Sequence, residues 1–250
     1  MCNLYFQCDK GAAGDMMSAA LMGLVENKEE MLTKLNRMGI PHVEYILEEK
    51  EKYGINGNAM TVKIHGQTEE YIHEKTEHHH HHHSHMTMET IRHIVDEMQV
   101  SDKVKKDIMD TYKIIADAES KAHSCPVSEV HFHEVGALDA IADVAAVCQI
   151  LEELAPSEII ASEVHVGNGT VQCAHGILPV PAPATANILS DIPYEHGEIE
   201  GEICTPTAAA LIRHFVDKFS DKLPENEQKY GIGIGKRIFQ TPSYFKACVI

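Results

Sequence analysis

The chain has 250 residues, enough for one large domain or two small ones, with a sizeable core either way. Hydrophobic residues make up 44% and charged residues 24%, ordinary globular proportions, and no apolar run approaches the roughly 20 residues of a membrane span. With 21 basic and 38 acidic side chains the formal charge is −17, which argues against a phosphate-backbone partner such as nucleic acid and suits cations instead.

The N-terminus lacks the basic, apolar and small-residue regions of a signal peptide, so a cytoplasmic location is expected. Seven cysteines with no C-x-x-C pair argue for reduced thiols over a disulfide framework.

Asn3 to Cys8 is a short apolar run, and Asp9, Lys10, Gly11, Ala12, Ala13, Gly14 and Asp15 follow it. A helical pattern then runs from about Met16 to Met38, giving strand, glycine turn, helix. Asp15 is placed as an N-cap or a first-turn anion. The turn can present backbone N–H groups to a phosphate. It is neither G-x-G-x-x-G nor a Walker loop, and a tight turn with a capped helix is the simpler account. Asn3 to Gln7 resembles a protease tag site, but Cys2 stands where that site needs glutamate, so it reads as native strand.

Val43 to Lys50 and Asn58 to His65 are β-rich and flank Gly54-Ile55-Asn56-Gly57, which predicts a hairpin. Residues 66–88 have little apolar content and carry His78, His79, His80, His81, His82 and His83 in a row, then Ser84 and His85. Such a run can be vector sequence, but this one is internal, with folding segments on both sides. It reads as a native, flexible, metal-binding loop, and neutral imidazole prefers nickel, copper and zinc to magnesium or calcium. Met88 to Met98 and Ser101 to His123 read as helices, the second capped by Ser101 with Asp102 in its first turn.

The stretch His131 to Asp143 packs two histidines, a glutamate and two aspartates into thirteen positions. If His131 to Val135 is a strand, His131 and His133 share a face and Glu134 takes the other. After Gly136, Leu138, Ile141, Ala145, Cys148 and Leu151 recur at helical spacing. Asp139 and Asp143 then lie one turn apart near a helix start, where the dipole favours anions. Imidazole and carboxylate so arranged suit a divalent cation or a metal-bound phosphate. The plain alternative is a helix start with acidic first turns and two half-exposed histidines.

Pro156 ends that helix. Glu158 to Ala161 and Val164 to Val166 read as strand, and Gly167 to Thr170 as a turn. Pro179, Pro181 and Pro183 impose extended geometry on the following segment, a stiff crossover that would fix Cys173 and His175. His175 is either a site residue or a loop residue beside Gly176. Thr205 reads as an N-cap and Pro206 as N1 of an apolar helix from Ala208 to Phe219, and a phosphate there would use the same N–H groups. Tyr230 to Arg237 is glycine-rich and basic without Walker spacing, so it reads as a strand–loop edge. Phe245 to Ile250 reads as a final strand. Mixed strands and helices with a glycine turn at the first junction predict an α/β fold, or α+β, with a layered sheet and flanking helices.

Several of these segments together resemble one family: Gly11-Ala12-Ala13-Gly14-Asp15-Met16, the histidine run, His131 to Asp139, His175 to Thr185, and Thr205-Pro206-Thr207. It is the nickel insertion protein of lactate racemase maturation, the pyridinium-3,5-bisthiocarboxylic acid mononucleotide nickel chelatase. The resemblance covers nearly the whole chain in order. It implies a lyase-class chelatase that inserts nickel(II) into this mononucleotide to make the nickel-pincer nucleotide cofactor. It also implies association with CTP and manganese or magnesium.

Family members continue past residue 250, and CTP binding is attributed to that later region. The expectation is therefore an N-terminal nickel-insertion domain over residues 1–250, with the His-rich loop at 66–88 inside it. Expected partners are the mononucleotide precursor, nickel, the C-terminal portion, the lactate racemase apoprotein and further copies of the chain. On this reading His131, His133, Glu134 and Asp139 are the catalytic candidates. Asp9, Gly11, Gly14, Asp15, His175 and Thr205 would bind the nucleotide or its metal. Metal ligands would come from His131, His133, Asp139, His78, His79, His80, His81, His82, His83 and His85. Two other classes fit the residues: a nickel storage or delivery protein without catalysis, and a metal-dependent phosphate or nucleotide hydrolase.

Overall fold

The computed structural model describes residues 2–68, 86–130, 132, 138–173, 176–220 and 222–250. In chain order the first elements are β1 (Asn3–Gln7), α1 (Gly14–Met22), α2 (Lys28–Asn36), β2 (Val43–Lys52), β3 (Ile55–Ile64) and β4 (Gln67–Thr68). Helices α3 (Met88–Glu97), α4 (Asp102–His123) and α5 (Leu138–Leu154) follow, with a short 3-10 turn, Val127–Glu129, between the last two. Then come β5 (Glu158–Ala161), β6 (Val164–His165), β7 (Gly167–Asn168), β8 (Thr170–Cys173), β9 (Gly176–Pro179) and α6 (Pro183–Ile188). The chain closes with β10 (Tyr194–Glu195), β11 (Gly201–Glu202), α7 (Pro206–Phe215), β12 (Lys218–Phe219), β13 (Lys229–Gly233) and β14 (Phe245–Val249).

Leu4, Tyr5 and Phe6 are all buried because β1 is a central strand. It pairs with β5 in parallel and with β14 antiparallel. The sheet order is β12-β5-β1-β14-β13-β3-β2, with β4 paired to β3. Helices α1 and α5 pack against each other and over this sheet, and α4 packs outside them against α5, α6 and α7. This is the predicted α/β layering. Of the His-rich loop expected over 66–88, residues 69–85 lie outside the described residues, while Gln67–Thr68 is strand β4 and Met88 opens α3. No helix among the described residues is long and apolar enough to cross a membrane. All seven cysteines are free thiols.

Helix α1 approaches the sheet backbone to backbone. A Cβ on Gly231 would stand 2.0 Å from the Ala20 carbonyl oxygen, and one on Gly233 would stand 1.8 Å from that of Met16. Only glycine permits this contact.

Several element boundaries differ from the sequence expectation. Gly167–Asn168, expected within a turn, is strand β7 paired with β11, and β8 and β9 pair antiparallel where a stiff crossover was expected. The helix expected over Met16 to Met38 is two helices. Gly23 meets Gly231 across the layer, and the Lys229 ammonium takes the Leu24 and Val25 carbonyls at 3.0 and 3.1 Å. Asn27 then caps α2 through the Glu30 N–H. The hairpin turn is tighter than expected: Lys52 pairs with Ile55, and Tyr53 and Gly54 both have positive φ, as a two-residue type I′ turn needs. The helix expected to reach Phe219 stops at Phe215. The Asp217 carboxylate accepts from Ile159 N at 2.8 Å while its own N–H donates to Ile159 O at 2.9 Å, which draws Lys218 and Phe219 into the sheet as β12.

Candidate functional site

Because β1 and β5 are parallel, their carboxyl ends open on one side of the sheet, the usual place for a ligand crevice in such folds. The turn after β1 lies there, held by three separate segments. Ser162 Oγ accepts from Cys8 N at 2.8 Å. Ala12 N donates to Ile203 O at 2.8 Å, and Thr205 N donates to Ala12 O at 3.0 Å. Lys10 O accepts from Ser243 Oγ at 2.9 Å and from Tyr244 N at 3.1 Å. Gly11 sits at φ +108°, where a Cβ would stand 2.8 Å from Ile203 O and 3.0 Å from Ser243 Oγ.

Acidic side chains gather around this turn. Asp9 is the second residue after β1, and its Oδ1 is buried with no hydrogen-bond partner. Burial, with Asp9's charge second, pushes the Tyr244 phenol up, while Lys246 opposes the shift. Asp15 stands in the first turn of α1 and accepts from Met16 N at 2.8 Å. Asp143 of α5 lies against Gly14: a Cβ there would be 2.7 Å from Asp143 Cβ and 3.1 Å from its Oδ2. Asp139 is one turn earlier, at the start of α5. Burial pushes the Tyr112 phenol well up, followed by the charges of Asp139 and Asp143. Lys52, at the end of β2, is a cation near Asp15. Burial and then Lys50 push its ammonium down, Asp15 pulls it up, and it donates to Gly235 O at 3.4 Å and to Arg237 O.

Cys8 and Cys204 flank the turn, fully buried, and burial pushes both thiols well up. The donors gathered around the turn are carboxylates, those of Asp9, Asp15, Asp139 and Asp143. Such a set suits a divalent cation. It does not suit a phosphate at the glycine turn: protein atoms fill the space beside Gly11 and Gly14, and Asp143 places like charge at the start of α1.

The family model described as "Nickel insertion protein" matches residues 4–249. The chain belongs to the nickel insertion protein family. It is 40% identical over 97% of its length to the pyridinium-3,5-bisthiocarboxylic acid mononucleotide nickel insertion protein of Clostridium kluyveri, covering 60% of that protein. To the protein of the same name from Staphylococcus epidermidis it is 35% identical, over 97% of the chain and 58% of the relative. To a putative nickel insertion protein of Dictyoglomus thermophilum it is 37% identical, over 98% and 60%. The chain thus spans about three-fifths of the length of these curated relatives. No solved structure matches.

In this member of the family the residues singled out from sequence fall into two groups. Asp9, Gly11, Gly14, Asp15, Asp139 and Thr205 lie on or beside the crevice; Thr205 caps α7 through Ala208 N at 3.3 Å, with Pro206 at the first helical position. His131, His133, Glu134, His175, the run His78 to His83 and His85 lie outside the described residues. Phe132, the described residue of the central stretch, is buried edge-on to Tyr112 at 6.2 Å, and its N–H donates to Met86 O at 3.1 Å. Sequence reasoning placed Asp143 on the Asp139 face but missed its contact with Gly14, and it missed Lys52 altogether. No local signal marks either, since both meet the turn only through the tertiary fold.

Proposed function

We propose that this chain inserts nickel(II) into pyridinium-3,5-bisthiocarboxylic acid mononucleotide, forming the nickel-pincer nucleotide used by lactate racemase. One metal–carbon and two metal–sulfur bonds form. The ring C–H bond breaks, its electron pair becomes the nickel–carbon bond, and the proton passes to a side-chain base. Each sulfur donates a lone pair to nickel. Class assignment as a lyase-type chelatase follows from that bond count.

In this reading His131 and His133 hold the incoming nickel, and Glu134 or Asp139 takes the ring proton. Asp9 and Asp15, beside Gly11 and Gly14, hold the nucleotide or its metal, and His175 and Thr205 are its further contacts. The supporting observation is Phe132. It is flanked in sequence by the two histidines, and it packs on Tyr112, whose phenol feels the charges of Asp139 and Asp143. That contact, between Phe132 and Tyr112, supports the reading.

CTP and its manganese or magnesium act, on this proposal, through the further length that the relatives have, since the glycine turn does not fit a phosphate. Residues 1–250 serve as the nickel-insertion domain and 66–88 as its nickel-gathering loop. The further proposed partners are additional copies of the chain, the C-terminal portion and the lactate racemase apoprotein, in the cytoplasm.

Incubation of the chain with nickel and the mononucleotide precursor tests the proposal. Cofactor product supports it. Bound nickel without product means storage or delivery, and phosphate release without nickel uptake means a hydrolase. His133→Ala and Asp139→Asn should each lower the insertion rate by about 10²-fold or more, the usual scale for a positioned acid–base or ligand group, with melting unchanged. Asparagine keeps the shape of Asp139 and removes its charge. Full rates in both variants would make the stretch only a helix start and turn the search to Asp9 and Asp15.

A further inference from the structure

Among the described residues one group of imidazole and carboxylate side chains comes within metal-ligand reach, and nothing above uses it. Glu163, His165 and Glu195 each offer one donor atom, and the three atoms lie within 4.8 Å of one another. We infer that they form a second divalent-cation site on the rim of the crevice, of the class that takes a first-row transition ion. In a nickel insertion protein that ion is nickel(II), and this choice of metal rests on the function proposed above.

The trio is assembled by backbone register. Strands β6 and β10 run in parallel with His165 opposite Glu195, and Val166 N donates to Glu195 O at 2.9 Å. Glu163 precedes His165 by two positions, so in extended chain both side chains take the same face. Gly197 leaves room for the ring: a Cβ there would stand 3.0 Å from His165 Nδ1. His165 Nε2 is then 4.0 Å from Glu195 Oε2. Ligand bonds of about 2.0–2.2 Å allow two donors on one ion to be roughly 4 Å apart, so binding needs only a small inward movement.

One imidazole selects against magnesium and calcium, which prefer oxygen donors throughout. The Glu195 side chain is 63% exposed, so an ion can load from solvent. His165 N also donates to Cys8 O at 3.1 Å, which puts the site one residue from Asp9 and the crevice.

Equilibrium dialysis of the full chain against nickel(II) alone, with no nucleotide precursor, tests the site. The His-rich loop contributes equally to every protein compared. Glu195→Gln and His165→Asn should each hold one ion fewer at a nickel level that saturates the parent site, or hold it at least about tenfold more weakly. Glu198→Gln, on the same segment, should bind like the parent. Glu195 is exposed, so its variant folds and carries the test even if His165→Asn does not. A nickel-soaked crystal should show anomalous density bounded by the three side chains. Equal stoichiometry and affinity in all four proteins, or density only elsewhere, overturns the site. A chain that binds the ion here and makes no cofactor sinks the insertion proposal and leaves this one standing.

Discussion

Helix α4 begins on Ser101, whose hydroxyl accepts from Val104 N at 3.1 Å. It buries one stripe, Val104, Ile108, Tyr112 and Ile115, and carries the i,i+4 ion pairs Lys103–Asp107 and Lys106–Asp110, the second of them exposed. Helix α1 begins on Ala13, which makes no side-chain cap, and Asp15 alone of its residues is not buried. The first helix is encoded locally, by a cap, a stripe and i,i+4 pairs. The second is encoded by its neighbours: glycines on β13 admit its backbone, and Asp143 of α5 stands at its N-terminus. Acids serve this helix start in place of a capping residue: Met16 N donates to Asp15 Oδ1 at 2.8 Å, and Asp143 lies against Gly14. The element least self-sufficient in sequence is the one that builds the candidate site.

The strongest way to break the α1 side of this comparison is Gly233→Ala. The added methyl would stand 1.8 Å from the Met16 carbonyl oxygen, a backbone atom, so the helix must lift from the sheet. A loss of more than roughly 3 kcal/mol is expected, at the upper end for overpacking. Gly54→Ala is the contrast. At φ +76° with nothing within 4 Å, it should cost only the left-handed penalty of about 1–2 kcal/mol. Urea denaturation of both variants checks this, and equal midpoints would mean that α1 does not depend on backbone contact.

Alkaline pH probes the same region. The folded-state values of Cys8 and Cys204 are raised by burial, then by Asp9 for Cys8 and by Cys8 for Cys204. Unfolded thiols titrate near pH 8.5. The stability each buried thiol provides is therefore whole below that pH and is lost as pH rises toward the folded-state value, by about 1.4 kcal/mol per pH unit per thiol. Unfolding free energies measured between about pH 9 and 10 should fall less steeply in a Cys8→Ala, Cys204→Ala double variant than in the parent. Identical slopes would show that these thiols titrate alike in both states.

On the α4 side the expected effect is smaller. Ser101→Ala removes the cap and should cost about 1 kcal/mol, read as a shift in the denaturation midpoint at unchanged slope. No shift would mean that packing of the apolar stripe alone sets where α4 begins.

The same contrast explains what could be read from sequence. The β2–β3 hairpin, α3, α4 and the Thr205 cap were legible because alternation, stripes and capping residues act within a few positions. The break between α1 and α2 was not, because it is set by Gly231 and Lys229, both some two hundred residues away on β13. The end of α7 was hidden in the same way by Asp217, which reads as one more helical residue until Ile159 is placed beside it. In the crevice the acids Asp9, Asp15 and Asp139 stood out by composition and by position near glycine turns. The contact between Asp143 and Gly14, and the approach of Lys52, depend on three elements meeting in space.

The smallest effect on the fold is expected from the residues that belong to neither kind of helix. Deleting His78 to His83 should leave the melting temperature unchanged. The chain enters this region from β4 at the edge of the sheet and leaves it at Met86, which bridges to Phe132. The core around α1, α4 and α5 is built from residues outside it. Nickel stoichiometry should fall, because a row of identical imidazoles offers several weak, interchangeable sites and no fixed geometry. Single-turnover insertion at saturating nickel should persist, because the proposed ligands and base lie in the central stretch. Three measurements decide it: a melting curve, a nickel titration, and one insertion time course with nickel in excess. Loss of insertion with the fold intact would place the run inside the reacting site, and the central stretch would then have to share the metal with it.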